Sequence, residues 1–160
     1  MARVHAYEVS VHWSGLLGPG DGHSRDHEVT AAGPPPIAGS SDPAFRGDPG
    51  RWNPEQLLVA SLSQCHMLWY LHLCSRGAVA VTDYLDRPRG VMHEDGAGGR
   101  FVEVVLRPEV VLATADRLDL AMGLHEQAHR SCFIGNSVAF PVRVEPSLRV
   151  AGEPDNLLIG

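Results

Sequence analysis

Lysine is absent from this sequence: all 13 basic residues are arginines, scattered along the chain against 19 acidic residues, for a formal net charge of −6 and a pI near 5.8. No basic stripe is left to track a phosphate backbone or an anionic lipid surface, so neither nucleic acid nor membrane is an expected partner. Cysteine is scarce, with only Cys65, Cys74 and Cys132. An odd number without a close-spaced pair excludes a disulfide scaffold and leaves free, structural or catalytic thiols. No unbroken apolar run approaches the ~18 residues of a membrane span, and the opening MARVHAYEVS lacks the apolar core of a secretion signal. The expected location is the cytoplasm.

What is present suffices for one core. The 160 residues are 44% hydrophobic, which suits a single domain over residues 1–160. His5, Tyr7, Val9, Val11 and Trp13 alternate with smaller or polar residues and predict a strand, GLLGPGDGH a turn, and RDHEVTA a returning strand. From Gly33 to Asn53 the chain is too rich in proline and glycine for regular structure, and a loop of that length usually covers or builds a site. Asn53 then caps a helix, with Pro54 at its first position and Glu55 in its first turn. From Leu57 to Cys74 that helix is apolar on every face, which predicts that protein surrounds it. A second helix is expected from Thr114 to Arg130, with Leu120, Ala121, Leu124 and Ala128 at helical spacing. Between the helices, VAVTDYLDRPRGVMHE and RFVEVVLRPEVVL read as strands joined through DGAGG, and FPVRVEPSLRV as a last strand. The order β-β-α-β-β-α-β defines an α+β domain.

HEQAH at 125–129 matches the H-E-x-x-H zinc pattern, but His125 and His129 supply only two ligands and no third histidine follows at the required spacing. A mixed site of His66, His129 and one or two cysteines lacks regular spacing too, so no metal or cofactor is expected. The thiols are more informative. Cys65 and Cys74 are roughly two and a half turns apart on one helix, on opposite sides, and cannot form a redox pair. Cys74 reads as a small core residue. Cys65 sits among Ser61, Gln64, His66 and Trp69, polar groups whose burial without purpose is costly. Cys132 opens a short turn at FIGNS, whose amide groups are expected to lower its pKa, and it meets Cys65 if the two helices pack side by side.

The ordered motifs NPEQLLVASLSQC, AHRSCFIGNSV and FPV, with SRDHEV, SSDPAFRGD and RFVEVVLRPEV, resemble the osmotically inducible protein C and organic hydroperoxide resistance (OsmC/Ohr) family of bacterial thiol peroxidases. The resemblance covers most of the chain. It implies antiparallel sheets packed around two central helices in an intertwined homodimer. By position it makes Cys65 the peroxidatic thiol, Cys132 the resolving thiol, Glu55 the acid and Arg25 the arginine, with Arg46 and Arg51 of the long loop as alternatives. Phe133 stands where many members have proline, which suggests an OsmC-like branch. The implied partners are a hydroperoxide substrate and a dithiol reductant of the dihydrolipoamide type.

The implied chemistry is physically coherent. A guanidinium beside a thiol favours the thiolate and donates hydrogen bonds to peroxide oxygens. Sulfenic acid at Cys65 then condenses with Cys132 and escapes over-oxidation. Glu55 lies roughly 15 Å along the helix from Cys65, so it is expected to orient the arginine rather than touch sulfur. Two other classes remain: a metal-binding module using His66 and His129, and an OsmC-fold protein whose cysteines are structural or bind a small molecule.

Overall fold

The computed structural model describes residues 3–20, 22–96 and 98–152. The chain divides into two compact units, Met1–Leu58 and Val59–Gly160.

The first unit holds an antiparallel sheet in the order β1 (Ser10–His12), β2 (His27–Thr30), β3 (Ile37–Gly39). β3 lies inside the segment that was expected to be irregular. Its three residues follow the proline run and all carry an N–H, which is enough for a short ladder. His27 pairs with Gly39, where an added Cβ would strike the His27 ring at 2.3 Å, so only glycine fits there. Trp52 N–H donates to Ala38 O at 3.1 Å and Ser40 N–H to Trp52 O at 2.9 Å, fastening the end of the loop to β3. Helix α1 (Pro54–Arg76) starts as its sequence predicts. Asn53 Oδ1 accepts from Gln56 N–H at 2.8 Å and Gln56 Oε1 from Asn53 N–H at 3.2 Å, a reciprocal capping box.

In the second unit each long β-type run is broken at a proline, and each break moves the chain from one sheet to the other. β4 (Val81–Asp86) precedes Pro88, and β5 (Arg89–Asp95) follows it. β6 (Gly98–Leu106) gives way at Pro108 to β7 (Pro108–Leu112), and β8 (Val142–Val144) at Pro146 to β9 (Ser147–Val150). The two sheets run β4-β7-β9 and β5-β6-β8. Proline has no N–H to give a ladder, so a continuous strand cannot pass through it. The sheets are mixed rather than antiparallel throughout, because β6 with β8 and β7 with β9 are parallel. Helix α2 (Leu118–Ser131) supplies the crossover that parallel pairing needs. It begins four residues later than its sequence suggests: Ala115 O accepts from Leu118 N–H in a tight turn, and Arg117 turns back to donate to Gly77 O at 3.0 Å, at the C-terminal end of α1.

Leu62, His66, Tyr70 and Cys74 form the buried stripe of α1. Leu62 packs against Val104 and Leu106 of β6. Tyr70 and Cys74 pack against Val110 and Leu112 of β7, Leu148 of β9, and Ala121, Leu124 and Ala128 of α2. The opposite face of α1 is not enclosed within this chain, and Leu68 there is 62% exposed. Protein therefore surrounds only part of the helix. With 23 residues and a mean hydropathy of 1.2 over its best window, α1 is long and apolar enough to cross a membrane by length and composition. Ser61, Ser63, Gln64 and His66 interrupt its apolar residues, so the sequence shows no unbroken apolar run there.

Candidate functional site

Cys65 lies midway along α1, and Leu68, Trp69 and His72 follow it on the same side at helical spacing. With Phe133 they line a cleft of about 350 Å³. The Trp69 ring meets Phe133 edge-on, with centroids 5.4 Å apart, and His72 at 5.9 Å. The thiol thus sits half-buried at the foot of an apolar wall. Trp69 was apparent beside Cys65 in the sequence; Leu68 and His72 were not singled out, although i+3 and i+7 spacing from Cys65 marks them.

Cys132 caps the C-terminus of α2 and is 3% exposed. The following residues fold back over it. Gly135 N–H donates to its Sγ at 3.2 Å, Asn136 N–H to its carbonyl at 2.9 Å, and Ser137 Oγ to Phe133 O at 2.7 Å. Gly135 suits this close approach, since a Cβ there would stand 3.3 Å from the sulfur. The Cys132 thiol lies beside Cys65, and burial first, then the interaction with Cys65, push its pKa up to about 11. The Gly135 amide works the other way, as the sequence reading expected, but burial outweighs it. Cys132 therefore keeps its proton at neutral pH beside the more accessible Cys65.

Cys74 is buried in the core, and burial raises its pKa while the Tyr70 hydroxyl opposes the rise. All three thiols are free. Cys74→Ala is expected to keep thiol reactivity toward peroxide within a few-fold and to cost on the order of 1 kcal/mol in urea unfolding, as a small core truncation.

The histidines are arranged differently from the expected metal sets. His66 Nε2 meets His125 Nδ1 at 3.1 Å in the interior, and Glu126 is exposed and paired with Arg130. Among the described residues, no group of three or more histidine, cysteine or acidic side chains is placed to hold a metal ion.

Arg25 and Glu55 belong to the first unit and the two paired thiols to the second. Arg25 lines a cleft of about 370 Å³ with Trp13, His23, His27 and Pro54, and donates to His23 O. Glu55 is half-buried in the first turn of α1, and its Oε2 is buried without a hydrogen-bond partner. Arg51 is engaged by Asp26 at 3.2 Å and Asp48 at 3.6 Å, and Arg46 closes the 3-10 turn Pro43–Phe45 in left-handed conformation.

The two-helix α+β fold places Cys65 beside an apolar cleft and buries Cys132 next to it. The family model described as OsmC-like protein matches residues 47–147, well over half of the sequence. The chain belongs to the OsmC-like family. An OsmC-like protein of unknown function from Vibrio cholerae is similar in structure, with a TM-score of 0.78 and 29% identity over 89% of this chain and 99% of that one. An organic hydroperoxide resistance protein OsmC from Legionella pneumophila has a TM-score of 0.65 and 19% identity over 93% and 100%. An organic hydroperoxide resistance protein from Elizabethkingia anophelis has a TM-score of 0.67 and 17% identity over 94% and 99%. No curated protein sequence matches the chain.

Proposed function

We propose that this protein is a cytoplasmic thiol peroxidase that reduces organic hydroperoxides, acting as a homodimer of one-domain chains (residues 1–160). The observation that carries the reading is the buried Cys132 thiol beside a more accessible Cys65 at the edge of an apolar cleft. Membership of the OsmC-like family and the names of the Legionella and Elizabethkingia proteins support a peroxide-related redox role.

In this reaction the Cys65 thiolate attacks the distal oxygen of the hydroperoxide, the O–O bond breaks, and the alkoxide leaves as alcohol after taking up a proton. The sulfur is now a sulfenic acid. Cys132 attacks it, the S–S bond forms, and hydroxide leaves with the Cys132 proton as water. An external dithiol then returns two electrons and two protons and is itself oxidised to a disulfide. Leu68, Trp69 and Phe133 favour an alkyl or aryl group on the peroxide.

Arg25 activates the thiol in this scheme, and Glu55 orients the guanidinium; the buried, unpartnered Glu55 Oε2 supports a cationic neighbour in the dimer. Val4, Tyr7, Val9, Val11, Leu16 and Leu17 of the first unit are exposed, apolar area that supports burial against a second copy. Arg25→Ala is expected to slow peroxide attack on the order of a hundredfold at neutral pH. Glu55→Gln is expected to cost about tenfold, since the guanidinium charge remains. Stopped-flow peroxide reaction of both variants, with solution mass, checks this; an unaltered rate in Arg25→Ala transfers the role to Arg46 or Arg51. The whole reading is tested by cumene hydroperoxide consumption with dihydrolipoamide or dithiothreitol as reductant. Many turnovers per thiol pair are expected, and no consumption above the protein-free rate rejects the reading.

A further inference from the structure

The His66–His125 bond is an expensive feature of the interior. Both rings are buried, parallel to within 9°, and joined at 3.1 Å. Only one of the two facing nitrogens can donate. Whichever tautomer is adopted, the other ring is left with an N–H that has no acceptor, because His66 Nδ1 and His125 Nε2 both lack partners among the described residues. Two apolar side chains would fill the space without that cost, so the pair is to be explained by geometry rather than stability.

The geometry joins the two helices where they carry the thiols. His66 adjoins Cys65 on α1, and His125 lies roughly two turns before Cys132 on the same side of α2. Tyr70, one turn beyond His66, stacks on His125 with centroids 3.8 Å apart and planes 12° apart. Two side chains of the α1 stripe thus grip one residue of α2, by its ring edge and by its ring face. Sliding α2 by a single residue would displace Cys132 about 1.5 Å along the axis. Disulfide closure tolerates little of that, since it requires Cβ atoms about 3.5–4.5 Å apart and one narrow torsion.

We propose that His66 and His125 are positioning residues whose hydrogen bond sets the register of α2 on α1 at which Cys65 and Cys132 can close a disulfide. This rests on the reading of those thiols as the redox pair. An apolar core holds helices together but lets them slip among near-equivalent packings; a hydrogen bond between single ring atoms does not.

The test is equilibration of the full-length protein with reduced and oxidised glutathione, reading the Cys65–Cys132 disulfide by peptide mapping. In that exchange the two protein thiols give up two electrons and two protons, and one glutathione disulfide becomes two glutathione thiols. His125→Leu and, independently, His66→Leu are expected to shift the equilibrium toward the dithiol at least tenfold, about 30 mV for a two-electron couple. His125→Asn keeps an amide where Nδ1 stood and His66→Gln keeps one where Nε2 stood. Both are expected to lie within threefold of wild type. Leu148→Val, in the core beside α2, serves as the control for general loosening, its stability being measured by urea unfolding. A couple that forms normally but ignores both leucine variants overturns the proposal alone. So does an equal shift in Leu148→Val, or failure of both amide variants to restore the couple. A wild-type protein that forms no Cys65–Cys132 disulfide at any ratio overturns the redox reading and the proposal together.

Discussion

Cys65→Ser is expected to abolish peroxide consumption, with a loss on the order of a thousandfold or more, whereas Cys132→Ser should react once and stop. The difference follows from where the sulfurs lie. Cys65 lines the cleft and is half-buried; Cys132 is 3% exposed and roofed by Gly135 and Asn136. A serine at 65 leaves only a hydroxyl, which is not ionised at neutral pH and is a far weaker nucleophile toward O–O bonds than a thiolate. A serine at 132 keeps the cleft and the attacking thiol but removes the second sulfur, so the sulfenic acid persists or climbs to sulfinic acid with excess peroxide. Intact-mass spectrometry after one and ten equivalents of cumene hydroperoxide reads this directly, as one added oxygen and then two. Multi-turnover activity in Cys65→Ser contradicts the account.

Acid is expected to destabilise this protein through the His66–His125 pair. Burial, then repulsion from His129, holds the His66 pKa at about 4, and burial, then His66, holds His125 at about 3, both below the ordinary 6.5. The unfolded chain therefore takes up protons at these sites as pH falls through 6.5, while the folded chain takes them up only near 4 and 3. The stability linked to the neutral pair is fully present above pH 6.5 and is lost as pH falls toward 4 and 3. The loss should be on the order of several kcal/mol, with a slope approaching two protons near pH 5. Urea unfolding at pH 7, 6, 5 and 4.5 of wild type and of the double variant His66→Leu/His125→Leu isolates the effect, because carboxylates elsewhere contribute to both. A flatter acid limb is expected in the double variant; superimposable limbs contradict the assignment of a neutral buried pair.

Local chemistry made parts of this structure legible in advance. Asn53 and Pro54 announced a helix start, and α1 begins there. Cys74, on the side of the helix away from Cys65, was placed in the core as a small hydrophobe, and it is buried there. The ordered motifs carried the family, and the order of predicted elements the α+β class. What stayed hidden depends on contacts distant in sequence. Nothing local in PPPIAGSS says that Ile37–Gly39 will find β2, and a run such as RFVEVVLRPEVVL does not declare that its two halves belong to different sheets, although Pro108 marks the break. His66 was grouped with His129, whereas His125, one turn earlier on the same face of α2, is the histidine that meets it. The expectation for Cys132 counted amide donors and not the cost of burial, which a sequence does not display.

The central claim is that Cys65 and Cys132, and not Cys74, form the redox pair. One equivalent of cumene hydroperoxide added to the reduced protein, followed by alkylation and peptide mapping without reductant, tests it most directly. The account predicts a single intramolecular Cys65–Cys132 disulfide with Cys74 recovered as alkylated thiol. Three alkylated thiols, or any disulfide that includes Cys74, would contradict it.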